Sequence, residues 1–268
     1  MDCRSRGLVT DLPFDPSRIR AVAFDGYGTL FDFDMPEFRV EVSRLLAEQG
    51  LEVDHDAFFE TWQKSYRVAD VWDQSDRTDL GPAGWPTDRS LNGPLPPWHS
   101  QWEIWRRQFQ AALDTHALDG DSTAAADRFR EALSVAEAYP EVHGTVDGLA
   151  QRGLLMALLS NADEDFLQSA LSRARLRFSI IQSSESLRAY KPHRAIFLAL
   201  CQRAACHPSE VLYVGDSPFA DIAGARNAGL RTAWIHRTDH PLPAHIAPPD
   251  VHLQTLDGLL DLLPGREA

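Results

Sequence analysis

Three apolar runs, far apart in the chain, each stop abruptly on a polar residue: IRAVAF at 19–24 before Asp25, LLMALL at 154–159 before Ser160-Asn161, and VLYV at 211–214 before Gly215-Asp216. Runs this short and this uniformly apolar read as strands covered on both faces. RTAWIH at 231–236 is a fourth, and Ile180-Ile181, ahead of Gln182-Ser183-Ser184, a shorter fifth. Helical patterns lie between them at 163–173, 194–204 and 221–228, the last with Gly229 as its stop. Strand and helix in alternation predict an α/β fold, a doubly wound parallel sheet with at least five strands. Ligands of such sheets sit at the carboxyl ends of the strands, which is where Asp25, Ser160 and Asp216 all fall.

Residues 35–139 follow a different rule. Helix-period segments at 38–49, 57–68, 102–113 and 124–138 come with no convincing strand, so an all-helical cap domain is predicted there, inserted into a core made of 18–34 and 140–268. Residues 1–17 read as a flexible leader, and the chain from Pro264 as a frayed tail. Within the insert, Pro and Gly crowd 81–98, predicting an irregular loop. Trp72, Trp85, Trp98, Trp102 and Trp105 lie in or beside it, either as packing between cap and core or as an aromatic lining over a substrate.

The net charge of −13 sets a field that repels nucleic-acid backbones and anionic membranes, so neither is an expected partner. A small anionic substrate would need local positive charge from Lys, Arg, backbone N–H groups or a metal. Cys3, Cys201 and Cys206 lack zinc spacing and read as free thiols. The first residues lack the apolar run of a signal peptide, and no stretch approaches the length of a membrane span, so a soluble cytoplasmic protein is expected.

The segment Asp25-Gly26-Tyr27-Gly28-Thr29-Leu30 resembles the first signature, D-x-D-G-T-L, of the haloacid dehalogenase (HAD) superfamily. The other signatures follow in order: Ser160 after the second strand, Lys191 in Tyr190-Lys191-Pro192, and Gly215-Asp216 with Asp221, matching G-D-x-x-x-x-D. The resemblance covers nearly the whole chain and implies a hydrolase in which Asp25 is the nucleophile. It gives Thr29 and Ser160 hydroxyls for the substrate, with Lys191 to neutralise developing charge. Tyr27, Gly28 and Asn161 would face the substrate. Mg²⁺ would be held by the side chains of Asp25 and Asp216 and the backbone carbonyl of Tyr27, with Asp221 orienting that shell.

Tyr27 breaks the pattern. The family's phosphatases carry a second Asp there as general acid and base, and a tyrosine of ordinary pKa, about 10, replaces it poorly near neutrality. The family's 2-haloacid dehalogenases do carry Tyr, since halide departs without a proton. Yet their other hallmarks are absent: Gln63 stands at the position of their arginine with Arg67 a turn further on, Phe197 at their tyrosine, and Pro218 at their asparagine. The intact acidic set therefore favours a Mg²⁺-dependent, phosphatase-like hydrolase of a small molecule. A 2-haloacid dehalogenase is the alternative, and a binding protein that has lost catalysis a third reading. Leaving-group protonation in the first case would fall to the substrate or to a cap residue such as Asp54, His55 or His99. A homodimer formed through the cap is compatible with this pattern.

Overall fold

The structure is a computed structural model that describes residues 13–69, 87–237 and 241–265, with the side chains of 66–69 excepted. Among the described residues six parallel strands form one sheet: β1 (Ala21–Phe24), β2 (Leu155–Ser160), β3 (Ile180–Ser183), β4 (Val211–Gly215), β5 (Arg231–Ile235) and β6 (Val251–Leu253). Their spatial order is β3-β2-β1-β4-β5-β6. The chain thus leaves β1 toward one side, returns, and continues on the other. This reversal opens a crevice at the carboxyl ends of β1 and β4. Phe24 is level with Leu158 and Val214, so Asp25 emerges between β2 and β4.

Strands β1, β2, β4 and β5 are buried on both faces. Val22, Phe24, Met156, Leu158, Leu212 and Val214 pack into one core, while Ala21, Ala23, Ala157, Leu159, Val211 and Tyr213 pack into a second on the opposite face. The period of two assigns alternate residues to the two cores, which is why the runs contain almost no polar residue.

Between β1 and β2 lie α1 (Met35–Glu48), α2 (His55–Ala69), the short α3 (Asp88–Asn92), α4 (Gln101–Thr115), α5 (Ser122–Ser134) and α6 (Val142–Gln151). Their starts are locally encoded. Asp34 precedes Pro36 and receives Glu37 on its backbone N–H, Ser100 accepts from Glu103 N, and Asp121 accepts from Thr123 N and Ala124 N. Phe38, Trp62, Trp105, Phe109 and Phe129 bring their rings together across α1, α2, α4 and α5. This aromatic cluster is continuous with the core beneath the sheet, so the helical layer shares one apolar interior with it.

The helices of the sheet's second half are α7 (Glu164–Ala174), α8 (Ser184–Leu187), α9 (Arg194–Ala204), α10 (Gly224–Asn227) and α11 (Gly258–Leu262). Three sequence expectations change. The helix expected at 124–138 stops at Ser134, because residues 136–139 return beside residues 30–33: Ala138 bridges Phe31, and Asp32 N donates to Glu137 O at 2.8 Å. The helix expected at 221–228 begins earlier, as a π-helical turn over Pro218–Ala223 that runs into α10. The loop expected at 81–98 carries α3 in its described part, and Trp72 and Trp85 lie outside the described residues. Among the described residues neither Cys201 nor Cys206 is in a disulfide, and Cys3 is outside them. Among the described residues no helix is long and apolar enough to cross a membrane.

Candidate active site

Asp25 is 7% exposed and receives a hydrogen bond from Lys191 Nζ at 2.5 Å. The same ammonium donates to Asp221 Oδ1 at 2.7 Å and to the Tyr213 hydroxyl at 3.1 Å, which satisfies its three N–H groups. Tyr213 Oη in turn donates to Leu159 O at 2.9 Å, which turns its lone pairs toward the lysine. Burial alone would favour the neutral amine, yet Asp221 and Asp25 hold the Lys191 pKa above its ordinary value. The lysine is therefore a fixed charge at neutral pH.

Carboxylate oxygens of Asp25, Asp216 and Asp221 all lie within 4.8 Å of one another. Ser217 N holds Asp221 Oδ2 at 2.9 Å, and Thr29 Oγ1 donates to Asp216 Oδ1 at 3.3 Å. Gly28 has φ +83°, and a Cβ there would come within 2.7 Å of Asp216 Oδ2, so only glycine lets this turn lie against that carboxylate. Burial, with Asp221 and Asp25 nearby, drives the Asp216 carboxyl well above its ordinary pKa; burial also raises Asp221, to about 6, against the pull of Lys191. Three acids surround one ammonium. The unmatched negative charge and the oxygen-only donors fit a hard divalent cation such as Mg²⁺.

The predicted residues are brought together, with two qualifications of role. Asn161 pairs its amide with the backbone of Lys191, accepting from Lys191 N at 2.8 Å and donating to Lys191 O at 3.2 Å, so it positions the lysine loop. Tyr27 does not offer its side chain to the crevice. Its hydroxyl donates to Leu133 O at 3.2 Å and lies 3.5 Å from Phe166 O, and its ring packs on Phe31, Phe33 and Phe166. Burial, with Asp25 and Asp165 adding to it, raises the phenol well above its ordinary pKa. Ser160, 2% exposed, ends β2, and its Oγ lies against Gly26.

Gln63, by contrast, is exposed on α2 and donates to Met35 Sδ, while the side chain of Arg67 lies outside the described residues. Phe197 packs edge-on against Tyr213 in the second core. Asp54 caps α2 at Ala57 N. His99 reaches the lysine loop, where its carbonyl accepts from Tyr190 Oη at 2.8 Å.

Tyr213 and Asp163 were not singled out from sequence. The first is the lone polar letter in VLYV, a signal that could have been used. Asp163 accepts from Gln101 N at 2.8 Å and Trp102 N at 3.0 Å, tying the loop after Ser160 to the start of α4. His193 Nε2 donates to Gly93 O at 2.8 Å, so the segment before α4 is fastened to both loops that carry polar site residues. Several carboxyls in the molecule titrate high: Asp34 at about 7, Asp163 and Asp221 at about 6, each chiefly through burial. The folded chain then holds protons that the unfolded chain releases near pH 4, so stability falls as pH rises through this window. We expect the thermal midpoint of metal-free protein to rise between pH 8 and pH 5.5, as read by calorimetry.

The family profile for haloacid dehalogenase-like hydrolases matches residues 19–229. The chain is 27% identical over 258 residues to (S)-2-haloacid dehalogenase 1 of Pseudomonas sp. strain CBS-3, covering 91% of this chain and 96% of the relative. It is also 27% identical over 255 residues to a phosphoglycolate phosphatase of Pseudomonas putida, covering 92% and 79%. A crystal structure of a dehalogenase with an intermediate complex superposes with a TM-score of 0.68 at 26% identity, covering 94% of this chain and 99% of that one. Sequence profile, sheet order and the convergence of loops at one sheet edge agree, and the chain belongs to the haloacid dehalogenase-like hydrolases.

Proposed function

We propose that the protein hydrolyses the carbon–halogen bond of a small 2-halo acid, with Asp25 as nucleophile. The observation that carries this reading is the Tyr27 hydroxyl, tied to the Leu133 carbonyl inside an aromatic cluster, where it can neither protonate a leaving group nor activate water. Halide needs no such proton. The full-length likeness to an (S)-2-haloacid dehalogenase supports the same choice, and together they reverse the order in which the sequence ranks the two chemistries.

In the first step an Asp25 oxygen bonds to the halogen-bearing carbon as the halide leaves with the bonding pair. Water then adds to the Asp25 carbonyl carbon, the bond from that carbon to the substrate oxygen breaks, and a hydroxy acid leaves with one proton released. Lys191 aligns Asp25 and offsets the charge on its carbonyl oxygen during the second step. Ser160 and Thr29 supply hydroxyls for the substrate carboxylate. The helical insert acts as a cap that excludes water other than the reactant.

A second reading has its own observation. The acidic trio fits a cation, and Asp25, Asp216 and Asp221 would hold Mg²⁺, which would neutralise phosphoryl oxygens in a phosphatase. The two separate cleanly. Under the first, chloride is released from (S)-2-chloropropionate in the presence of EDTA; phosphate release that requires Mg²⁺, with no halide from any 2-halo acid, would establish the second instead.

A further inference from the structure

Arg237 stands at the end of β5, beyond the residues matched to the family. Its guanidinium reaches three segments at once. Nη2 donates to Thr29 O at 3.0 Å, Nη1 lies 2.8 Å from Glu141 Oε1 at the start of α6, and the group sits 3.5 Å over the centre of the Tyr139 ring. These are the segments through which the helical layer joins the sheet. The chain leaves along 30–33 and returns along 137–139, and the two are paired by Asp32 N to Glu137 O at 2.8 Å and Tyr139 N to Leu30 O at 3.0 Å. Thr29 thus lies between the nucleophile and the joint. Its hydroxyl faces Asp216, and its carbonyl is fixed by Arg237.

We infer that Arg237 is a positioning residue: it pins the loop carrying Asp25 and Thr29 to the joint of the helical layer and so holds the attacking carboxylate in alignment. The inference rests on the reading of Asp25 as nucleophile but not on which bond is cleaved. An arginine suits the task because its planar fork can serve a carbonyl, a carboxylate and a ring face together, which a lysine cannot.

The test compares Arg237→Gln, Arg237→Lys and Arg237→Ala with Arg231→Gln in the full chain. Arg231 is the control because it opens β5, at the end away from the loop, and pairs with Asp250 just before β6. Turnover is read with (S)-2-chloropropionate and with p-nitrophenyl phosphate plus Mg²⁺. We expect kcat to fall about ten- to a hundredfold in Arg237→Gln with KM changed less than about twofold, because alignment rather than binding is lost. Arg237→Lys should recover only part of kcat, and added guanidinium should raise kcat of Arg237→Ala. Arg231→Gln should lower the thermal midpoint and leave kcat intact. An unchanged kcat in Arg237→Gln, or an equal loss in Arg231→Gln, would overturn the assignment. If the wild-type chain turns over neither compound, the functional reading is what fails, and amide exchange decides on Arg237. Faster exchange over residues 26–33 in Arg237→Gln supports it, and identical exchange rejects it.

Discussion

Asp25→Asn should abolish turnover while leaving the fold in place. The amide keeps the shape of the carboxylate, so β1, the turn at Gly28 and the contact with Lys191 survive in outline, but it cannot form the ester bond. Removing a nucleophile of this kind costs about 10³-fold or more, a loss that no adjustment of binding can mimic. The Lys191 ammonium retains Asp221 as its partner, so the buried lysine is not stranded. The thermal midpoint should therefore shift by only a few degrees. A sharper measurement follows the oxygen. In a single turnover in H₂¹⁸O with enzyme in excess, the heavy atom should appear in the peptide that contains Asp25, because water attacks the carbonyl carbon of the enzyme ester. Heavy oxygen found only in the product, with the peptide unlabelled, would mean that water attacks substrate directly and that Asp25 is a base.

Much of this site can be read from the chain alone because its polar residues terminate apolar strands. Asp25, Ser160 and Asp216 need only the strand assignment to be gathered at one edge, and a parallel sheet buried on both faces announces its strands clearly. The failures have local causes. Strand β6 has three residues with partly exposed side chains at the sheet edge, so its pattern is too short and too mixed to stand out. Helix α6 contains Gly144, Thr145 and Gly148, which dilute a helical signal that tertiary burial of Val142, Val146 and Leu149 restores. Residues such as Asp163, Tyr190 and Arg237 act on backbone carbonyls or N–H groups of distant segments, and such partners leave no mark in the sequence.

The role of Tyr27 was the harder matter, because residue type alone left its direction open. A tyrosine two positions after Asp25 could have pointed to the substrate, and the carbonyls of Leu133 and Phe166 at its hydroxyl show it engaged elsewhere. Its hydroxyl joins the turn after β1 to the end of α5 and to α7, so the residue that the phosphatase pattern would reserve for proton transfer is built into the seam between sheet and helical layer. The acidic trio pulls the other way, and a sequence cannot weigh one against the other, since the balance depends on what compensates the charge.

Lys191→Met tests that compensation directly and should be the most destabilising single change in the site. Methionine is close in length and apolar, so packing against Tyr213 is largely kept, and what disappears is the one ammonium among three acids. Leaving buried charges without a partner costs about 3–5 kcal/mol, which for a domain of this size lowers the thermal midpoint by roughly 10 °C. Activity should vanish as well, because Asp25 loses its alignment. The pH dependence gives the cause away. With the lysine present, the Asp221 carboxyl already titrates at about 6, and removing an attractive charge raises it further. A raised folded-state pKa contributes stability at low pH that is lost as pH rises, so the variant's deficit should be greatest above pH 7 and shrink as pH falls below 6. Adding Asp221→Asn to Lys191→Met should restore part of the lost midpoint at pH 8, since it removes one of the stranded charges. A deficit that is the same at pH 5 and pH 8, and is untouched by the second substitution, would show that the lysine acts through packing rather than charge.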